Sequence, residues 1–181
     1  MQLAATSTVQ LKKTSALSAG AGLLALGCVL GIAGGGTWAL LRPAYVGEIA
    51  EGGVKLDQSL SPANVEFTGF GTFALLSTLA GVVVAAVALN SARRGRVRGS
   101  VAWLLWAGVV SAVSALALYI FGDWFVAVLH PVPDLDTIAQ GDAVTMVPPV
   151  RPGAAWAAAP FASVLLYWVV NLLAYTTENA D

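Results

Sequence analysis

Charge is what this sequence has least of. Asp, Glu, Lys and Arg together make up 10% of its 181 residues, against about a quarter in an ordinary soluble domain. So few charges cannot form the solvated shell of a water-soluble core of this size. The 57% hydrophobic content and the mean hydropathy of +0.77 point to lipid as the solvent. Cysteine is nearly absent as well: the single Cys28 excludes an intramolecular disulfide and any thiolate metal cluster. With only one histidine, His130, a zinc set would have to use the distant Cys28, and no metal is expected. A net charge of −1 gives no footprint for nucleic acid. No G-x-S-x-G elbow, phosphate-binding glycine loop or intramembrane acid–base pair occurs, so the chain reads as non-enzymatic and without a cofactor.

What is present is four long apolar runs, 19–41, 67–90, 101–121 and 154–175, none of which contains Asp, Glu, Lys, Arg or His. A run of about 20 residues crosses a hydrocarbon core about 30 Å thick when helical. Because lipid offers the backbone no hydrogen-bond partner, each run is expected to be a helix. The fold class is therefore an all-α membrane protein, a four-transmembrane-helix bundle forming one domain. Lys12 and Lys13 precede the first run, and Arg93, Arg94, Arg96 and Arg98 fill the turn 91–100. The longer connections, 42–66 and 122–153, hold only Arg42, Lys55 and Arg151 as bases but eight of the ten acids. The excess of basic residues puts the tail 1–18, the arginine turn and the carboxyl end in the cytoplasm of a multi-pass plasma-membrane protein. Those arginines anchor the turn, where anionic lipid adds about 1 kcal/mol each. Cys28 after Ala25-Leu26-Gly27 loosely imitates a lipoprotein cleavage site, but the apolar run continues to Leu41, which favours an uncleaved span.

The outer connections exceed ordinary turns. Tyr45 to Ile49 and Val54 to Leu56 flank Gly52 and Gly53, the pattern of a hairpin, and Ala143 to Val147 adds a strand before Pro148 and Pro149. A small β-cap on the outer side is the expectation.

Gly27, Gly31 and Gly35 place bare patches on one face of the first span; Ser77, Gly81 and Ala85 do so on the second, and Ala107, Ser111 and Ala115 on the third. Such faces serve helix packing within the bundle, or else another membrane protein or a second copy. Ser163, Tyr167, Asn171 and Tyr175 form a polar stripe on the last span that is expected to turn from lipid and set helix rotation rather than line a substrate path. Asp123, taken to follow the third span, opposes the helix dipole and needs another reason to be there. It is either an interfacial acid beside the anchoring Trp124 or, with His130, an outer-mouth proton or cation site. Asp134 and Asp136, with Asp142 and His130, lack the further oxygen ligand and glycine of a calcium loop.

Trp38-Ala39-Leu40-Leu41-Arg42-Pro43, Glu66-Phe67, the arginine turn and the proline-rich segment before the last span follow an order in which the whole chain resembles a family of small four-span actinobacterial membrane proteins of unknown function. The resemblance implies a bacterial plasma membrane and carries no catalytic residues. The leading expectation is an accessory or partner-binding component of the cell envelope. A small transporter or channel subunit is the alternative, and an enzyme acting at the outer surface through Asp123 or His130 is a third.

Overall fold

The structure, a computed structural model, describes residues 2–50, 53–131 and 139–178, with side chains from 16 onward to 176. Gly52, Asp134 and Asp136 lie outside the described residues, as do the side chains of Lys12 and Lys13. In chain order the elements are α1 (Gln2–Leu41), β1 (Tyr45–Ala50), β2 (Gly53–Leu56), α2 (Val65–Arg93), α3 (Val101–Leu129), β3 (Ala143–Met146), a 3₁₀ turn (Gly153–Ala157) and α4 (Ala158–Glu178). Four stretches are long and apolar enough to cross a membrane, Ala16–Leu41, Val65–Arg93, Val101–Leu129 and Gly153–Thr176. Large apolar side chains point outward along all of them, Leu40, Leu75, Leu105, Val109 and Leu173 among them. In water that would be costly, and against acyl chains it is neutral.

Three element boundaries differ from the sequence expectation. The segment read as a tail, 1–18, is helical from Gln2 onward and continuous with the first span. The last span enters through the 3₁₀ turn, so that Pro160 falls in the first turn of α4, where a missing N–H leaves no helical bond unmade. The third span does not stop at Phe121 but runs to Leu129. The apolar residues Trp124 to Leu129 carry the helix on, and Pro131 then ends it, since the residue before a proline avoids the α region. Asp123 is therefore inside α3 rather than after it.

The helices pack with α1 chiefly on α3 and α2 chiefly on α4, while α3 also meets α2 and α4. Small residues decide these pairings. A Cβ on Gly31 would stand 2.5 Å from Ala117 Cβ and 2.6 Å from the Ser114 carbonyl oxygen, and one on Gly35 would stand 2.7 Å from the Leu118 oxygen. Backbones this close exclude any side chain at those positions. Gly81 touches the Ala159 backbone of α4 in the same way, with Ser77 and Ala85 buried on the same face of α2.

The core divides into two clusters. Leu23, Val84, Trp103, Val110 and Tyr167 fill the half nearer the arginine turn, and Trp38, Phe73, Leu118, Val150 and Ala155 fill the other. At the arginine-turn end Ser100 caps α3 by accepting from the Trp103 N–H, and Trp103 Nε1 donates to the Ala88 carbonyl at 3.0 Å. At the other end the strands form one antiparallel sheet in the order β2-β1-β3, with Gly47 opposite both Leu56 and Val144. The hairpin alone would be marginal, and the third strand gives β1 a partner on each edge.

Candidate functional site

The sheet end of the bundle gathers the chain's unusual side chains. Trp38, in the last turns of α1, is fully buried, and its Nε1 donates to the Gly69 carbonyl of α2 at 2.8 Å. Its ring lies against Gly122 of α3, where a Cβ would overlap the indole. Phe73, Tyr119 and Trp156 complete an aromatic box drawn from α2, α3 and the 3₁₀ turn, with ring centroids 5.2 to 6.3 Å apart and mostly edge-to-face.

Arg42 sits one turn beyond Trp38, with its guanidinium 4.5 Å from the indole centroid. Nη1 donates to Asp123 Oδ1 at 2.6 Å and Nη2 to the Pro148 carbonyl at 2.5 Å. The arginine side chain is 3% exposed while the carboxylate is 40% exposed. This pair gives the reason that Asp123 lacks on dipole grounds alone. A buried cation needs a counter-charge, and an acid within the last two turns of α3, at the sheet end, is the group that reaches it. Two of the three guanidinium nitrogens are satisfied; Nε is buried and has no partner.

Arg42 and Asp123 belong to the wall of a cavity of about 400 Å³ between the sheet and the end of α3. His130, the residue closing α3, lines the same cavity, and Val126, Val144 and Met146 form much of its apolar surface. A volume in this range, mostly apolar walls and a few convergent polar groups are the usual attributes of a ligand or side-chain pocket. Among the described residues no cluster of three His, Cys, Asp or Glu side chains converges. Asp142 is engaged in a local turn, accepting from the Ala139 N–H at 2.8 Å.

The other sequence-selected residues are distributed away from this site. Gly27, Gly31 and Gly35 face α3, whose Ala107, Ser111 and Ala115 are buried. Ser163 and Tyr167 face the bundle interior, but Asn171 and Tyr175 are exposed, so the polar stripe is only half inside. Asn171 folds back on its own helix, Nδ2 donating to the Tyr167 carbonyl at 2.7 Å. Arg93 ends α2 and Arg94, Arg96 and Arg98 lie exposed on the turn, with Arg94 Nε donating to Asn90 Oδ1 at 3.1 Å. Cys28 is half-buried in the middle of the α1 span.

Sequence reasoning missed Arg42 and Trp38 as site residues. The available signal was level: α1 and α3 both end on the sheet side, so a lone arginine at one end and a lone acid near the other fall at the same depth. No family model, curated protein or solved structure matches the chain.

Proposed function

We propose that this chain is a non-enzymatic, multi-pass protein of a bacterial plasma membrane, an accessory component of the envelope whose outer cap engages another envelope molecule. Its amino end, arginine turn and carboxyl end lie in the cytoplasm, following the excess of basic residues there. The resemblance to small four-span actinobacterial membrane proteins belongs to the same reading.

One observation carries it. The glycine faces are spent on contacts inside the bundle, whereas the recess beside Arg42, Asp123 and His130 opens beneath the sheet and has no occupant among the described residues. A partner that must be recognised from outside the bilayer meets this surface first. The test is site-specific photocrosslinking in intact cells, with the probe at Met146 in the cap or at the lipid-facing Leu105. The reading expects a discrete adduct from Met146 that is lost in Asp123→Asn, and none from Leu105. Equal, diffuse labelling from both positions refutes it.

A small transporter or channel subunit is the second reading. It is favoured by three buried serine hydroxyls without partners, Ser77, Ser114 and Ser163, within a mostly apolar bundle interior. Solute flux into proteoliposomes that is abolished by Ser114→Val would replace the first reading with this one.

A further inference from the structure

At the end of the bundle opposite the cap, a recess of about 190 Å³ lies between the start of α3 and the last turns of α4, lined by Gly99, Ser100, Val101, Leu104, Tyr167 and Trp168, with Asn171 at its edge. We propose that this recess binds the phosphate of an anionic glycerophospholipid, with one acyl chain lying along Leu104 and Trp168.

Four observations converge on an anion. The N–H groups of Val101 and Ala102 precede the first carbonyl acceptor of α3, Ser100, which takes those of Trp103 and Leu104, and they carry the positive end of the helix dipole. Ser100 Oγ accepts from the Trp103 N–H, which leaves its own hydroxyl proton free to donate. Tyr167 is 3% exposed, its hydroxyl is buried and has no partner, and it lies 3.6 Å from where Gly99 would carry a Cβ. The tyrosine thus reaches from within α4 to the inner wall of the recess and brings an unused donor there. Finally, Arg98 stands next to Gly99, and neither the turn 91–100 nor the recess wall contains an acid.

The source of the phosphate follows from the remaining walls. Trp168 is 53% exposed and Leu104 sits one turn into the span, so the recess continues into a lipid-facing apolar surface. A soluble phosphate would use only the polar half. An amphiphile anchored at the headgroup level uses both, and indole rings favour that level. A Cβ at position 99 would rest in ordinary contact with the Tyr167 hydroxyl, 3.6 Å away, so the loop entering α3 passes directly beside that group.

Native mass spectrometry and thermal unfolding of the full chain in mild detergent test this, with added phosphatidylglycerol, phosphatidylcholine or inorganic phosphate. Phosphatidylglycerol is expected to remain bound and to raise the melting temperature more than either other probe. Tyr167→Phe should weaken that binding about tenfold, the loss of one hydrogen bond to a charged group, while leaving the lipid-free melting temperature unchanged or higher. Arg98→Gln, at an exposed position that does not threaten folding, should weaken it as well. Arg94→Gln, whose side chain is committed to Asn90, should not. Wild-type binding in both Tyr167→Phe and Arg98→Gln overturns the proposal, as does an equal loss in Arg94→Gln, which would mean general charge attraction. Phosphatidylcholine matching phosphatidylglycerol overturns the anionic assignment, and inorganic phosphate matching it overturns the lipid.

Discussion

Gly22 and Gly31 lie on the same helix, yet replacing each with alanine should move stability in opposite directions. Alanine at a helix interior is favoured over glycine by about 1 kcal/mol, mostly through the unfolded chain. At Gly22 nothing lies within 4 Å of the new methyl, so Gly22→Ala keeps this gain. At Gly31 the methyl would stand 2.5 Å from Ala117 Cβ and 2.6 Å from the Ser114 oxygen. Carbon atoms rest at about 3.5–4.0 Å, so α1 and α3 must separate locally by about 1 Å. Overpacking of that kind costs about 1–3 kcal/mol, and the loosened neighbours on either side of the seam lose contacts too. The net for Gly31→Ala is a destabilisation of about 1–2 kcal/mol. For a chain of this size, a kcal/mol shifts the melting temperature by about 2–4 °C. Thermal unfolding in mild detergent should therefore place Gly22→Ala a few degrees above wild type and Gly31→Ala a few degrees below. If both variants melt together above wild type, the two helices are not in backbone contact at Gly31. If Gly31→Ala changes only the oligomeric state, the glycine face packs between molecules rather than within one.

The remaining expectations concern the capped end and the topology. Asp123→Asn leaves a buried guanidinium without a counter-charge and should cost about 1–3 kcal/mol, less than a fully buried pair because water reaches the carboxylate. Arg42→Met in that background should recover part of the loss, and a double-mutant cycle with no coupling would refute the pair. Trp38→Phe preserves most of the ring but removes the N–H bond to the Gly69 carbonyl, which still accepts from Thr72 Oγ1; a loss of about 1 kcal/mol is expected in the same melting assay. Asp57 lies outside the spans, and the hydroxyl of Ser59, then its N–H, hold the carboxyl below its ordinary value of 3.8. Its contribution to the turn is present above pH 3.8 and is lost as pH falls through the lowered folded value, so amide exchange at Ser59 should quicken in that acid window. With Cys28→Ala as background, a cysteine at Gln140 should react with an impermeant maleimide on intact cells and one at Gly95 should not; the reverse pattern would invert the proposed orientation.

The spans were legible because a charge-free run of helical length has few other uses, and the hairpin because Tyr45 to Ile49 and Val54 to Leu56 flank a pair of glycines. The end of α3 was not. Reading Asp123 as a stop treats a carboxylate by itself, and the Arg42 guanidinium that makes it tolerable comes from a residue 81 positions away. The same limit applied to the glycines. Their spacing announces that a backbone comes near, but only the fold says that it is α3 for Gly31 and α4 for Gly81. On α4 the four-residue spacing correctly grouped Ser163 with Tyr167, while Asn171 and Tyr175 pass beyond the contact with α3 and emerge. The recess at Tyr167 left no pattern of its own, since Ser100 and Tyr167 become neighbours only through the packing of α3 on α4.

The Arg42 guanidinium grips α1 through Trp38, α3 through Asp123 and the strand-to-helix connection through Pro148. It works as a rivet through three plates. Displacing the sheet end would therefore strain the α1–α3 seam directly, because the same guanidinium that holds the connection after β3 also joins α1 to Asp123 of α3.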